Sequence, residues 1–210
     1  QSWSVLSGQG NPERSKQSLD AALSNLLDHE AGVLRLFNPP YATTDKDPGY
    51  IRAYPPGIRE NGGQYTHAGA WLALALAKSG RADDAMQCLD CLLPVRHALD
   101  REGAERYRTE PYAVAADIYS EGALTGQGGW SWYTGSAAWI YRAVVEGLLG
   151  IERKGSEITV SPVLPGDWNG FTARIELPGR TVEVKAARGA AGKIETSMNG
   201  KKSRAPAKPK

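Results

Sequence analysis

The chain has 210 residues, is 41% hydrophobic, and sets 25 basic against 23 acidic residues for a formal net charge of +2. That length suits one domain, or one domain with an appendage. The near balance of charge gives no basis for nucleic acid or an anionic membrane surface as partner, and no apolar run approaches the roughly 18 residues of a membrane-spanning helix.

The opening, QSWSVLSGQG, lacks an initiating Met and reads as an ordinary internal segment, so a chain that continues upstream is expected. Pro12 and Glu13 start a helix to about Asp28, with Leu19, Leu23, Leu26 and Leu27 as its apolar stripe. Residues 30–56 hold five prolines with Tyr41, Tyr50 and Tyr54, which reads as a long ordered loop. A helix from His67 to about Ser79 is apolar nearly all round, so burial on most faces is expected. After Gly80 a further helix, Ala82 to Leu93, carries Cys88 and Cys91. A C-x-x-C pair can be a redox motif or half a zinc site. Here leucines surround it and no second Cys or His pair sits at metal spacing, so buried structural thiols, no metal and a reducing, cytoplasmic setting are expected.

Residues 96–110 read as polar loop, 112–119 as a helix, EGALTGQGGWSWYTGS at 121–136 as a second glycine-rich loop, and Ser136 to about Leu149 as the last helix. At Gly150 the period changes from 3.6 to 2. Ile151 to Val160 reads as a hairpin around Lys154-Gly155, Phe171 to Leu177 and Thr181 to Ala186 as a pair turning at Pro178-Gly179, and Ile194 to Met198 as a last strand. The basic, Pro- and Ala-rich end, 199–210, is expected to be disordered. Helices first and strands last point to a mainly α fold over 1–150 followed by a small antiparallel β domain over 151–198. Paired helices with long loops between them resemble an α/α toroid.

Two loops stand out: YPPGIRENGGQYTHAGAW at 54–71 and GGWSWYTGS at 128–136. Each ends at a threonine (Thr66, Thr134) placed to cap the next helix. A helix N-terminus has free N–H groups and partial positive charge, so it can hold an anion. Thr134, Gly135 and Ser136 can surround a phosphate, and His67 can add an imidazole donor. Tyr54, Tyr65, Trp130, Trp132 and Tyr133 beside Arg59, Glu60, Asn61 and Gln64 suit a sugar, which has apolar faces and a hydroxyl rim. Glu60, Glu110 and Asp117 are candidate acid/base or hydroxyl-binding carboxylates. Glu110 and Asp117 are also placed to serve as partners of Arg106 and Arg108, or as caps.

These two stretches, with RYRTEPYAVAADIYS between them and AAWIYRAVVEGLLGI after them, resemble the C-terminal part of glycoside hydrolase family 94 over about residues 1–190. The similarity is greatest to its β-1,2-glucan members, the phosphorylase domain of cyclic β-1,2-glucan synthases and the 1,2-β-oligoglucan phosphorylases. The resemblance implies the C-terminal portion of an (α/α)6 toroid with a β-sheet domain. It implies inverting phosphorolysis of a β-glucan oligosaccharide, with inorganic phosphate as co-substrate and no cofactor. A hydrolase of this kind needs a second carboxylate to activate water; phosphate is already an anionic nucleophile. His67 and Thr134-Gly135-Ser136 are implied as the phosphate cradle and Arg59-Glu60-Asn61 with Gln64 as sugar contacts, with Gln127, Trp132 and Tyr133 on the same wall.

The family's general acid lies in an Asp-Trp-Asn-Asp-type motif upstream of the matched stretch. The chain is therefore expected to lack it, to be inactive alone and to need the N-terminal part of the enzyme as partner. The cytoplasm, or the cytoplasmic side of the inner membrane for a larger synthase, is the implied setting. Asp167-Trp168-Asn169 looks like that motif but follows Pro165-Gly166 among the strands, so no catalytic role is expected of Asp167. The alternatives are a non-catalytic carbohydrate-binding remnant, or a lyase or hydrolase on the same toroid.

Overall fold

A computed structural model of the chain describes residues 1–190 and 192–202. Helix α1 spans Ser2–Leu6 and α2 Pro12–Leu26. Asn11 caps α2 by accepting from the Arg14 N–H at 3.0 Å, with Pro12 in the first turn, where its missing N–H is no loss. The helix stops two residues short of the sequence expectation. Leu27–Asp28 (β1) instead pairs with Val33–Leu34 (β2), Leu27 opposite Leu34.

The centre of the molecule is α3, Thr66–Lys78, in which Leu72 to Ala77 are all buried. Helix α4, Ala82–Leu92, lies against it. The approach is close because Gly69 has no side chain: a Cβ there would meet Leu92 Cδ2 at 2.7 Å. Leu72, Leu74, Leu76, Leu89, Leu92, Leu19 and Leu148 share one core with their alanine neighbours. Burying each leucine contributes about 2 kcal/mol. Cys88 and Cys91 are buried on α4, and burial raises both thiols, Cys91 to about 11, so neither is a thiolate at neutral pH.

Two sequence expectations fail between 94 and 119. The polar stretch is not loop throughout: it forms α5 (Pro94–His97) and α6 (Arg101–Tyr107). Asp100 caps α6 through the Gly103 N–H at 2.7 Å, and Arg108 ends it in the left-handed region. Conversely, 112–119 forms no helix. Asp117–Ile118 is strand β4 and pairs antiparallel with Gln64–Tyr65, strand β3. The alanines that favour a helix are overridden by tertiary hydrogen bonds: Ala116 N–H donates to Trp130 O, Tyr119 N–H to Gln127 O, and Ala116 O accepts from Thr66 N–H.

The last helix, α7, begins at Thr134 and runs to Arg142, continuing as a π-helical stretch over Ala143–Leu148. A Cβ on Gly147 would lie 3.0 Å from Ala77 Cβ, so this stretch also packs tightly on α3.

The strands follow the sequence reading. Strands β5 (Ile151–Lys154) and β6 (Glu157–Val160) form a hairpin. Strands β7 (Gly170–Leu177), β8 (Arg180–Arg188), β9 (Ile194–Met198) and β10 (Lys201–Lys202) form an antiparallel sheet in the order β10-β9-β8-β7. Pro178-Gly179 makes the β7–β8 turn, Gly179 supplying φ +75°. Val182, Val184 and Ala186 are buried with exposed residues between them, and Val182 and Val184 pack with Ile151 and Val160. The proposed tail is partly structured: Asn199-Gly200, both at positive φ, turn the chain into β10. Residues 203–210 lie outside the described residues. Asp167 is exposed in the turn joining β6 to β7, whose backbone carbonyls at Leu164, Pro165 and Trp168 accept from Arg188.

Candidate functional site

Strand β4 joins the two glycine-aromatic loops. On one side it pairs with β3, which leads directly into α3. On the other, Ile118 bridges to Gly128, the Gly129 N–H donates to Asp117 O at 2.9 Å, and the Tyr133 N–H donates to Val114 O at 3.1 Å. Both helices therefore start straight from backbone ladders. Their caps are Tyr65 and Tyr133, extended at φ −89° and −85°, and neither helix has a side-chain cap bond. Thr66 and Thr134 are thus the first helical residues, not the caps that their spacing implies.

The N-terminus of α7 comes against the first turn of α3. A Cβ built on Gly135 would lie 3.6 Å from His67 Cε1 and 3.7 Å from Nδ1, so the imidazole faces the Gly135 backbone. Buried polar atoms without a protein hydrogen-bond partner gather here: Thr66 Oγ1, His67 Nε2, Trp71 Nε1 and Ser136 Oγ. Ser136 is fully buried while Thr134 and Gly135 are exposed. Such atoms cost about 1–3 kcal/mol each when left unmatched. Burial lowers the His67 pKa from the ordinary 6.5, so the ring is neutral at pH 7 and offers one N–H. Trp71 and Trp139 hold that ring, with centroids 4.7 and 6.1 Å away.

Arg59 stands at the rim at φ +49°. Its N–H donates to Asp117 Oδ2 at 3.2 Å, and its guanidinium pairs with Glu60 at 3.6 Å and Asp117 at 3.9 Å. Burial opposes its charge, but Asp117, Glu60 and a hydrogen bond with Tyr133 outweigh that and raise its pKa. Asp117 is fully buried; burial raises its pKa and Arg59 offsets part of the rise. Its partner is therefore Arg59 across the site, not Arg106 or Arg108. A Cβ on Gly129 would meet Asp117 Oδ1 at 2.3 Å, so the second loop lies directly against this carboxylate.

Not every residue grouped with the sugar contacts is free to make them. Asn61 accepts from the Tyr41 N–H at 2.7 Å and donates to the carbonyls of Tyr41 and Tyr54. Gln64 accepts from the Leu34 N–H and donates to Cys91 O, both at 2.7 Å. Both side chains are fully buried and committed to backbone, so they brace the loop and their direct sugar contact is corrected to that role. Gln127 is half-buried, and its carbonyl joins the ladder to Tyr119. Trp130, Trp132 and Tyr133 are exposed. Glu110 accepts from Trp132 Nε1 at 3.3 Å and forms none of the described ion pairs with Arg106 or Arg108. Tyr112, which the sequence reading did not single out, stands edge-on to Trp132 at 6.0 Å; its only signal was an aromatic after Glu110-Pro111. Among the described residues no cluster of three or more His, Cys, Asp or Glu side chains is arranged to hold a metal, and no helix is long and apolar enough to cross a membrane.

Exposed aromatic rings thus stand beside an arginine and carboxylates next to the N-termini of two helices on a mainly helical fold. The chain belongs to the glycosyl hydrolase 94 superfamily, whose catalytic-domain model matches residues 1–150. It is 55% identical over 188 residues to cyclic β-(1,2)-glucan synthase NdvB of Rhizobium meliloti, covering 90% of this chain and 7% of that protein. It is 34% identical over 171 residues to solabiose phosphorylase of Paenibacillus borealis (80% of this chain, 21% of that protein). Over 183 residues it is 30% identical to N,N'-diacetylchitobiose phosphorylase of Vibrio proteolyticus (86% and 22%). The chain thus spans at most about a quarter of the length of these relatives.

Proposed function

We propose that this chain is the phosphate- and glucan-binding portion of an inverting β-glucan phosphorylase, acting on β-1,2-linked glucose. Its helices form the C-terminal part of an (α/α)6 toroid, with the β domain beginning at 151. The observation that carries the reading is the meeting of His67 with Gly135 beside the buried, unmatched hydroxyls of Thr66 and Ser136. A tetrahedral oxyanion has enough acceptor lone pairs for these donors and for the free N–H groups of α7. A neutral imidazole donates to such an anion without a full charge, which favours binding and later release. Arg59 and Glu60 at the rim take the sugar hydroxyls, and Asp117 holds Arg59 in place.

In phosphorolysis the bound phosphate oxygen attacks the anomeric carbon while an acid protonates the departing glycosidic oxygen. The residues of this chain hold and orient the nucleophile. The general acid is assigned to sequence upstream of Gln1, and the upstream part of the enzyme is the partner. The cytoplasm, or the cytoplasmic face of the inner membrane, is the proposed setting.

Calorimetric titration of the chain with inorganic phosphate tests this. Saturable binding is expected, weakened about tenfold or more in His67→Ala and in Ser136→Ala, at about 1.4 kcal/mol per tenfold. Wild-type affinity in both variants would overturn the reading. Incubation with β-1,2-gluco-oligosaccharides and phosphate is expected to release no glucose 1-phosphate, and release by this chain alone would remove the need for an upstream acid.

A further inference from the structure

Trp132 combines two unfavourable properties. Its backbone sits at φ +62°, a region that L-residues with bulky side chains rarely enter. Its indole is also 66% exposed, so no burial offsets the strained backbone. Neighbouring rings share the exposure: Tyr112 is 76% and Trp130 71% exposed. The indole is nonetheless fixed in direction. Its Nε1–H donates to Glu110 Oε1 at 3.3 Å, and Tyr112 meets it edge-on at 6.0 Å. Hydrogen bonds from the Ser131 side chain, its own backbone and Trp132 hold Glu110 below the usual carboxylate range, so it is an ionised acceptor. A strained, oriented and exposed ring pair beside a fixed carboxylate is a surface prepared for something that stacks and donates hydroxyl protons.

We propose that Tyr112, Trp132 and Glu110 form an outer glycan platform that takes a further glucosyl unit of a β-glucan chain, one ring face on the aromatics and its hydroxyls on Glu110. The inference rests on the glycan reading of the inner site and deepens it, because Trp132 immediately precedes Tyr133, whose hydroxyl meets Arg59. A ligand that fills the inner site and continues outward reaches the platform. The preferred substrate is then an oligomer longer than a disaccharide, and length selectivity resides in this chain.

The experiment titrates the full chain with sophorose, with a longer linear β-1,2-gluco-oligosaccharide and with inorganic phosphate, and follows thermal unfolding and sedimentation. Wild type is expected to bind the longer glucan more tightly than sophorose. Trp132→Gly accepts positive φ without strain, so its Tm is expected to hold or rise. Its affinity for the longer glucan falls about tenfold, as for loss of an aromatic stacking partner, and its phosphate affinity is unchanged. Trp132→Asn, which also tolerates this region, is expected to behave alike, and Tyr112→Ala to lose a smaller part. The proposal is overturned by any of three results: no gain with glucan length in wild type, undiminished glucan affinity in both Trp132 variants, or a fall in Tm that accounts for the loss. A patch that instead joins two copies reveals itself as dimers that Trp132→Gly separates while glucan affinity holds, which also overturns it. Failure of the phosphate cradle is separate, since it shows in His67→Ala with phosphate and leaves the Trp132 result standing.

Discussion

The two loops around β4 carry similar residues and are held in different ways. The first, 54–67, is pinned from beneath by side chains: Asn61 ties it to Tyr41 and Tyr54, Gln64 ties it to β2 and α4, and Asp117 clasps the Arg59 N–H. The second, 126–136, is held by backbone bonds to β4 and turns its aromatics outward. Polar side chains spent on backbone cannot meet a ligand, so the first loop works as a floor carrying Arg59 and His67 at its edge. The second has its side chains to spare and works as a presenting wall. The contrast explains why glycine occurs in both: in the first it admits backbone braces, and at Gly129 it leaves room for the buried Asp117 carboxylate.

The largest effect that should separate floor from wall is at Gln64. Gln64→Ala leaves the Leu34 N–H without its buried partner and opens a cavity, so a loss of about 3 kcal/mol is expected in chemical denaturation. Trp132→Gly on the wall should cost nothing; equal losses at the two positions would erase the distinction. Gly129→Ala drives a methyl into Asp117 and is expected to cost about 2–3 kcal/mol. Asp117→Ser together with Gly129→Ala should recover part of that, which a double-mutant cycle would detect. Thr134→Ala removes no cap bond, so its stability change should stay within about 0.5 kcal/mol while phosphate binding weakens. A drop of a full cap's worth in Tm would restore the threonine cap that the sequence implies.

The smallest expected effect is pH dependence. Burial depresses the pKa of both His67 and His97 below 6.5. The folded state therefore prefers the neutral rings, and their stabilising contribution is complete above pH 6.5 and lost as pH falls through the lowered folded values. Thermal unfolding should show Tm falling on mild acidification below neutrality, and His97→Gln should flatten that slope, because His97 holds Cys91 O on the same carbonyl as Gln64.

Local signals carried most of the fold. Pro12 after Asn11, Gly80 and Pro178-Gly179 each mark a boundary through their own backbone preferences, and the start of α2, the end of α3 and the β7–β8 hairpin lie where those signals put them. What local signals could not carry was pairing. Residues 113–118, AVAADI, favour a helix by propensity, yet Asp117–Ile118 becomes a strand and no helix forms, because partners 54 and 8 residues away (Gln64 opposite Ile118, and Gln127 O accepting from the Tyr119 N–H) supply the hydrogen bonds. The helix at Arg101–Tyr107 was readable, since Asp100 and Glu102 mark its start and Arg106 its end, but the polar composition obscured it. At the candidate site, the two loops that the sequence pairs do lie together, with His67 facing Gly135. It could not distinguish Glu60 at the rim from Asn61 and Gln64 beneath it, because side-chain direction in an irregular loop has no period to read.

The central claim is that the two loops make one anion site. It is tested most directly by following backbone amide and imidazole NMR shifts of the chain during a phosphate titration. The account predicts that Gly135, Ser136 and the His67 ring shift together along one saturation curve, and that His67→Ala abolishes the response at Gly135 and Ser136. Shifts confined to one loop, or a response at Gly135 and Ser136 that survives His67→Ala unchanged, would contradict it.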